Sequence, residues 1–254
     1  MALLDCCFYS NILGVETRAK VILPYGRKGQ YPAVGHERLP VLYLLHGLSE
    51  DDTAWIRRTS LERYVMNLDL AVIMPDAGRS FYMNMESGGR YFDYISQELP
   101  ALMQQMFPIS SKREDCFIAG LSMGGYGAFK AALSFPQSFA AAASLSGAVD
   151  IQRVFQDAVE FPESKAVFGE AVKPENDLRF LAGKAAAEGK LPALYQYCGT
   201  KDFLYEDNTL FRDFIRPLCP DYSYREDGRG HEWEAWEEQL LQVLDWLREQ
   251  NRRI

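Results

Sequence analysis

A chain of 254 residues, 48% of them apolar, carries enough hydrophobic side chains to bury both faces of one large α/β sheet. Its formal net charge of -8 offers no electrostatic attraction to nucleic-acid phosphates or anionic membranes, which speaks against both as partners. The start Met1-Ala-Leu-Leu-Asp-Cys-Cys lacks the features of an export signal and no later run is apolar enough to span a bilayer, so a cytoplasmic protein is expected.

In chain order, short apolar runs at 18–23, 41–45, 71–74, 116–119, 140–145, 193–198 and 222–226 read as strands. Several are too continuously apolar to have a wet face, which indicates a mostly parallel sheet covered on both sides. Between them, segments 60–67, 93–106, 126–134, 208–219 and 232–252 carry helical spacing of apolar positions. Segment 26–40 is rich in Gly, Pro and charge and reads as an exposed loop. Segment 151–190 lies between two good strands and is either a small cap insertion or an ordinary helical crossover. One α/β domain over 1–254 is the expected organisation. The five cysteines are odd in number and suit neither a zinc knuckle nor a disulfide scaffold, so reduced thiols are expected.

The chemistry gathers around Gly120-Leu-Ser122-Met-Gly124, which stands directly after a strand and before a helix. A serine on so sharp a turn needs glycine two residues before and two after it, because side chains there would meet neighbouring backbone. The helix that follows aims its first amides at the serine, making the Met123 N–H a candidate donor to a developing oxyanion. A second donor is expected from the loop after an early strand; Val41-Leu-Tyr-Leu-Leu-His46-Gly47-Leu48 supplies it, with the Leu48 N–H as candidate.

There are three histidines. His36 lies in the polar loop and His46 ends an early strand, where it is expected to shape the loop. His231, between the last strand and the last helix, is left as general base. The acid precedes it in this chain order, and Asp202 just past a strand end is the choice, with Asp207 and Asp227 as competitors.

With these residues placed, the chain resembles the esterase branch of the α/β hydrolases that holds tributyrin esterases, esterase D or S-formylglutathione hydrolases, feruloyl esterases and the antigen 85 acyltransferases. Bacterial tributyrin esterases are the nearest likeness. It rests on Pro40-Val-Leu-Tyr-Leu-Leu-His-Gly, Phe117-Ile-Ala-Gly-Leu-Ser-Met-Gly-Gly-Tyr-Gly, Val167-Phe-Gly-Glu, Cys198-Gly-Thr-Lys-Asp-Phe-Leu-Tyr-Glu and His231-Glu-Trp. The resemblance implies a serine carboxylesterase that hydrolyses short-chain acyl esters, acetyl to butyryl, through an acyl-enzyme on Ser122, without metal or cofactor. A feruloyl or acetylxylan esterase and an S-formylglutathione hydrolase stand as alternatives. By the same analogy Trp55 and Trp233 line the acyl or alcohol pocket, or else belong to the core. The partner is a small-molecule ester, and exposed aromatic residues leave a homo-oligomer open.

Overall fold

The computed structural model describes residues 1–24, 38–157 and 161–254. Loop 26–40 therefore lies largely outside the described residues, as does His36. Eight strands form one sheet in the order β1-β2-β4-β3-β5-β6-β7-β8. They are β1 (Ala2–Ser10), β2 (Val15–Leu23), β3 (Val41–Leu45), β4 (Ala71–Pro75), β5 (Cys116–Leu121), β6 (Ala141–Leu145), β7 (Ala193–Tyr197) and β8 (Tyr222–Arg225). β1 and β2 pair antiparallel, with Ala2 opposite Leu23 and Ser10 opposite Val15, and β2 joins β4 antiparallel. The six strands from β4 to β8 run parallel. All seven expected strand segments are present within a few residues at their ends. β1 is additional: its outward residues Leu3, Asp5, Cys7 and Tyr9 are exposed at the sheet edge, so it lacks the continuous apolar run of the inner strands.

The inner strands β3 to β7 are buried along their whole length, and each presents alternate side chains to two separate cores. Leu42 and Leu44 face α1 (Ala54–Arg58), α2 (Leu61–Val65) and the last helix, through Trp55, Leu61, Leu240 and Leu244. Tyr43 and Leu45 face the other core, which holds α4 (Leu99–Met106), α5 (Met123–Ser134), α8 (Leu178–Ala187) and α9 (Tyr205–Ile215). The remaining helices are α3 (Tyr91–Asp93), α6 (Ile151–Gln156), α7 (Ser164–Phe168) and α10 (Trp233–Gln250).

Segment 60–67 holds the expected helix as the short α2, and α1 is an additional helix ahead of it, ended by an extended Thr59. Segment 93–106 is α3 running through a π-turn, Tyr94–Glu98, into α4. Pro100 lacks the amide that would bond the Ser96 carbonyl, which fits a widened turn ahead of it. The long piece after β6 divides in function. α8, capped by the Asp177 carboxylate on Arg179 N and Phe180 N, packs against α5 as the crossover to β7. α6 and α7 lie instead near the carboxyl ends of the strands, and α6 supplies residues to the cavity there. Among the described residues no helix is long and apolar enough to cross a membrane.

β4 and β5 flank β3 on opposite sides, so connections leaving β3 and β5 part at their carboxyl ends. In open α/β sheets that divergence makes a crevice, and it is where the glycine-flanked serine lies.

Candidate active site

Ser122 occupies the single residue between β5 and α5, with φ 52 and ψ -118. A left-handed backbone at a non-glycine residue is strained by about 1–3 kcal/mol, so the surroundings must impose it. They do so through three backbone bonds: Ser122 N–H donates to Leu145 O at 2.9 Å, and its carbonyl accepts from Tyr126 N and Ala148 N, each at 3.2 Å. Both glycines are required sterically. A Cβ at residue 120 would stand 2.4 Å from Gly124 O, and one at residue 124 would stand 2.6 Å from Leu45 O.

Asp202 and His231, the expected acid and base, come from two loops bonded along their backbones. Thr200 N–H donates to Asp227 O at 2.7 Å and Lys201 N–H to Arg229 O at 2.9 Å, which carries residue 231 to the end of β7. There His231 Nδ1 lies 2.8 Å from Asp202 Oδ2, and Nε2 lies 3.1 Å from Ser122 Oγ. The Asp202 side chain is fully buried, and its other oxygen accepts from Leu204 N–H at 2.9 Å, which fixes the carboxylate's orientation. A carboxylate only accepts, so the imidazole proton sits on Nδ1 and leaves Nε2 free to accept from the serine hydroxyl. The competing carboxylates are engaged elsewhere. Asp207 binds Arg153 Nη1 through both oxygens at 2.9 and 3.0 Å; Asp227 accepts from Tyr197 Oη at 2.8 Å and Arg229 N at 3.0 Å.

The loop after β3 has its own scaffold. His46 is buried, accepts from Ala77 N–H at Nε2 (3.0 Å) and therefore presents Nδ1–H to the Gly47 carbonyl at 2.7 Å. It shapes this loop and does not meet Ser122. Glu50 was not singled out in the sequence, yet it bridges two parts of the site. One oxygen accepts from Gly47 N–H at 2.8 Å and the other from Trp233 Nε1 at 2.9 Å. Leu48 lines the cavity over Ser122, and Met123 opens α5, whose first amides have no acceptor within the helix.

The tryptophans divide differently from the pocket reading. Trp55 is 1% exposed, donates from Nε1 to Leu45 O at 3.0 Å and belongs to the core. Trp233 stands edge-on between Trp55 (5.2 Å) and Trp236 (5.4 Å), outside the cavity lining. The tryptophan that lines the cavity is Trp236, missed in the sequence although it lies three residues on from Trp233 along the same helix. Trp236 meets the His231 ring edge-on at 4.8 Å, while Phe203 covers another side at 4.6 Å.

The cavity above these groups measures about 630 Å³. Phe81, Leu121, Val154 and Phe161 make its apolar side; Glu50, Arg79 and Arg153 bring charge to its rim. Both arginines are held: Arg79 grips Glu163 at 2.8 and 3.1 Å and keeps that carboxyl below its usual pKa, and Arg153 grips Asp207. All five cysteines are free. Burial pushes the Cys116 thiol up to about 12 and the Cys219 thiol up to about 11, so neither is a nucleophile at neutral pH.

A mostly parallel eight-stranded sheet with a strained serine at the crevice defines an α/β hydrolase of the serine type. The chain belongs to the esterase family described as "Putative esterase", whose profile matches residues 10–247. An acetyl esterase of Caldicellulosiruptor saccharolyticus is 31% identical over 261 residues, spanning 97% of this chain and 98% of that protein. Among solved structures, substrate-bound Staphylococcus aureus fluorophosphonate-binding serine hydrolase F (FphF) superposes with a TM-score of 0.90 at 36% identity, covering 97% of this chain and 98% of that one. The S-formylglutathione hydrolase (FrmB) apoenzyme from Staphylococcus aureus gives 0.86 at 37% identity with the same coverage of 97% and 98%. Family and neighbours make the chain a carboxylic-ester hydrolase.

Proposed function

We propose that the protein hydrolyses short-chain acyl esters, acetyl to butyryl, through an acyl-enzyme on Ser122. The observation that carries this reading is the continuous contact Ser122 Oγ to His231 Nε2 (3.1 Å) and His231 Nδ1 to Asp202 Oδ2 (2.8 Å). His231 takes the hydroxyl proton as Ser122 Oγ attacks the ester carbonyl. The oxyanion is met by the N–H groups of Leu48 and Met123, and one such donor is worth roughly 3–4 kcal/mol in the transition state. Imidazolium then protonates the departing alcohol oxygen, which must lie on the His231 side, next to Phe203 and Trp236. Water, deprotonated by the same nitrogen, resolves the acyl-enzyme and returns Ser122 to its starting state. No step uses a metal or cofactor. The segment carrying α6 and α7 serves as a roof over the acyl side, and the protein works in the cytoplasm.

Support for a small acyl group comes from the acetyl esterase relative and from Phe81 and Phe161, which pack together at a centroid distance of 4.7 Å on the apolar side of the cavity. The likeness to an S-formylglutathione hydrolase favours one second reading, cleavage of a small acyl thioester by the same groups. Steady-state turnover of p-nitrophenyl acetate and butyrate tests the main reading. Ser122→Ala is expected to lower kcat about a millionfold or to background. Turnover retained by that variant removes Ser122 from the mechanism. Comparing S-formylglutathione, methyl ferulate and acetylated xylan under the same conditions separates the substrate classes.

A further inference from the structure

A second cavity of about 410 Å³ lies on the far part of α5, away from the serine. Lys130 lines it, eight residues beyond Ser122 and so roughly 12 Å along the helix axis. Its side chain is 2% exposed. The ammonium lies 2.7 Å from Met83 Sδ and 3.5 Å from Tyr82 O, and 4.1 Å above the Phe92 ring. Among the described residues no carboxylate pairs with it. Asp93 is taken up by Arg90 and by Gln97 Nε2, and Glu175 sits exposed at the cavity rim.

A thioether, one long carbonyl contact, an aromatic face and the more distant charges of Glu175 and Asp93 do not compensate a buried cation, so burial pulls this amine down to about 7. An anion arriving in the cavity would supply what the fold withholds. The remaining lining states what such an anion carries. Phe92, Leu133, Leu181 and Ala185 form an apolar wall; at the exposed mouth stand Lys184, with no ion pair among the described residues, Lys173, held by Glu86, and Glu188, held by Lys190.

We infer that this cavity is a second ligand site, for a short-chain carboxylate whose head meets Lys130 and whose alkyl chain lies against Phe92, Leu133 and Leu181. The chemistry matches the acid released by the hydrolysis proposed above, but the site stands on its own lining and does not depend on that reaction. Binding there would tie the middle of α5 to α8 and to the Tyr82–Met83 backbone, on the helix whose first residue flanks Ser122.

Calorimetric titration with butyrate, and with butyramide as the neutral isostere, tests the inference. Butyrate is expected to bind in a saturable manner, with butyramide about tenfold weaker or undetectable, because an amide oxygen can accept from the ammonium but brings no negative charge to it. Lys130→Met keeps the length of the side chain and is expected to lose at least tenfold in butyrate affinity while retaining p-nitrophenyl acetate turnover. Ser134→Trp, one helical turn on and at the cavity wall, fills the space without touching the amine and should lose binding likewise. Equal affinity for butyramide, unchanged butyrate binding in both variants, or no saturable binding overturns the proposal. Failure of ester turnover in the wild-type protein would instead count against Ser122 chemistry and leave the titration readable.

Discussion

His231 divides its two ring nitrogens between Asp202 and Ser122, so the position of one proton decides whether the serine can be deprotonated. Asp202→Asn tests this at the scale of a single atom. The amide oxygen stays on Leu204 N–H, where Oδ1 now accepts at 2.9 Å, which turns the NH2 group toward the imidazole. The imidazole must then accept at Nδ1 and carry its proton on Nε2, facing a hydroxyl it can no longer activate. A roughly ten-thousandfold fall in kcat is expected, with the melting temperature little changed, measured on p-nitrophenyl butyrate. Lys130 yields a prediction of a different kind. Its folded pKa of about 7 lies below the ordinary 10.5, so the unfolded chain holds the extra proton between those values. Stability from this group is therefore lowest at and below pH 7 and recovers as pH rises toward 10. Lys130→Met, read by thermal melting, should stabilise the protein by several degrees at pH 6, with the gain shrinking by pH 9; a gain that grows with pH would refute the assignment.

At the scale of elements, the acid and base loops meet because Gly199 lets two backbones touch. A Cβ there would stand 2.2 Å from Arg229 O, and backbone cannot swing aside as a side-chain tip can. Gly199→Ala is expected to cost about 1–3 kcal/mol in urea denaturation and to lower kcat more than it raises KM, since the displaced loop carries His231. The inner strands were legible in the sequence because burial on both faces leaves an unbroken apolar run. β1 was not, since an edge strand with Asp5 and Cys7 turned to solvent carries no such run. The turn at Ser122 with its glycines was legible because local sterics dictate it, and the meeting of Asp202 and His231 with it because Asp202 stands just past a strand end and only three histidines were there to choose from. The tryptophans were not, since whether Trp55, Trp233 or Trp236 reaches the cavity depends on how α1 and α10 are rotated against the sheet. Glu50 was invisible for a related reason: its two acceptors are used by groups 3 and 183 residues away.

Across the whole molecule, rigid and adaptable parts are separated. Ser122 and the loop after β3 are bonded into the centre of the sheet, whereas the described residues of 151–168 join the body through Phe161, Val167 and Phe168 in the core, through backbone bonds from Glu86 and Ser87, and, at the cavity, through two arginine–carboxylate grips. Arg153 of α6 holds Asp207 of α9, and Glu163 ahead of α7 is held by Arg79. Each grip is partly exposed, with side-chain exposures of 49% and 7% for the first pair and 39% for both partners of the second, so solvent weakens both. Asp207 depends on its partner more than the others do, because burial raises its carboxyl and Arg153 opposes that rise. Releasing both grips with Arg79→Met and Arg153→Met should therefore loosen this segment without melting the sheet. Amide exchange is expected to speed up tenfold or more in 151–157 and 161–168 while β3, β5 and β6 keep their protection. KM for butyryl esters should rise more than kcat falls, since the loosened part lines the cavity and, among the described residues, makes no bond to Ser122, His231 or Asp202. Exchange that accelerates equally in the inner strands would mean that these residues hold the fold together and not the roof of the pocket.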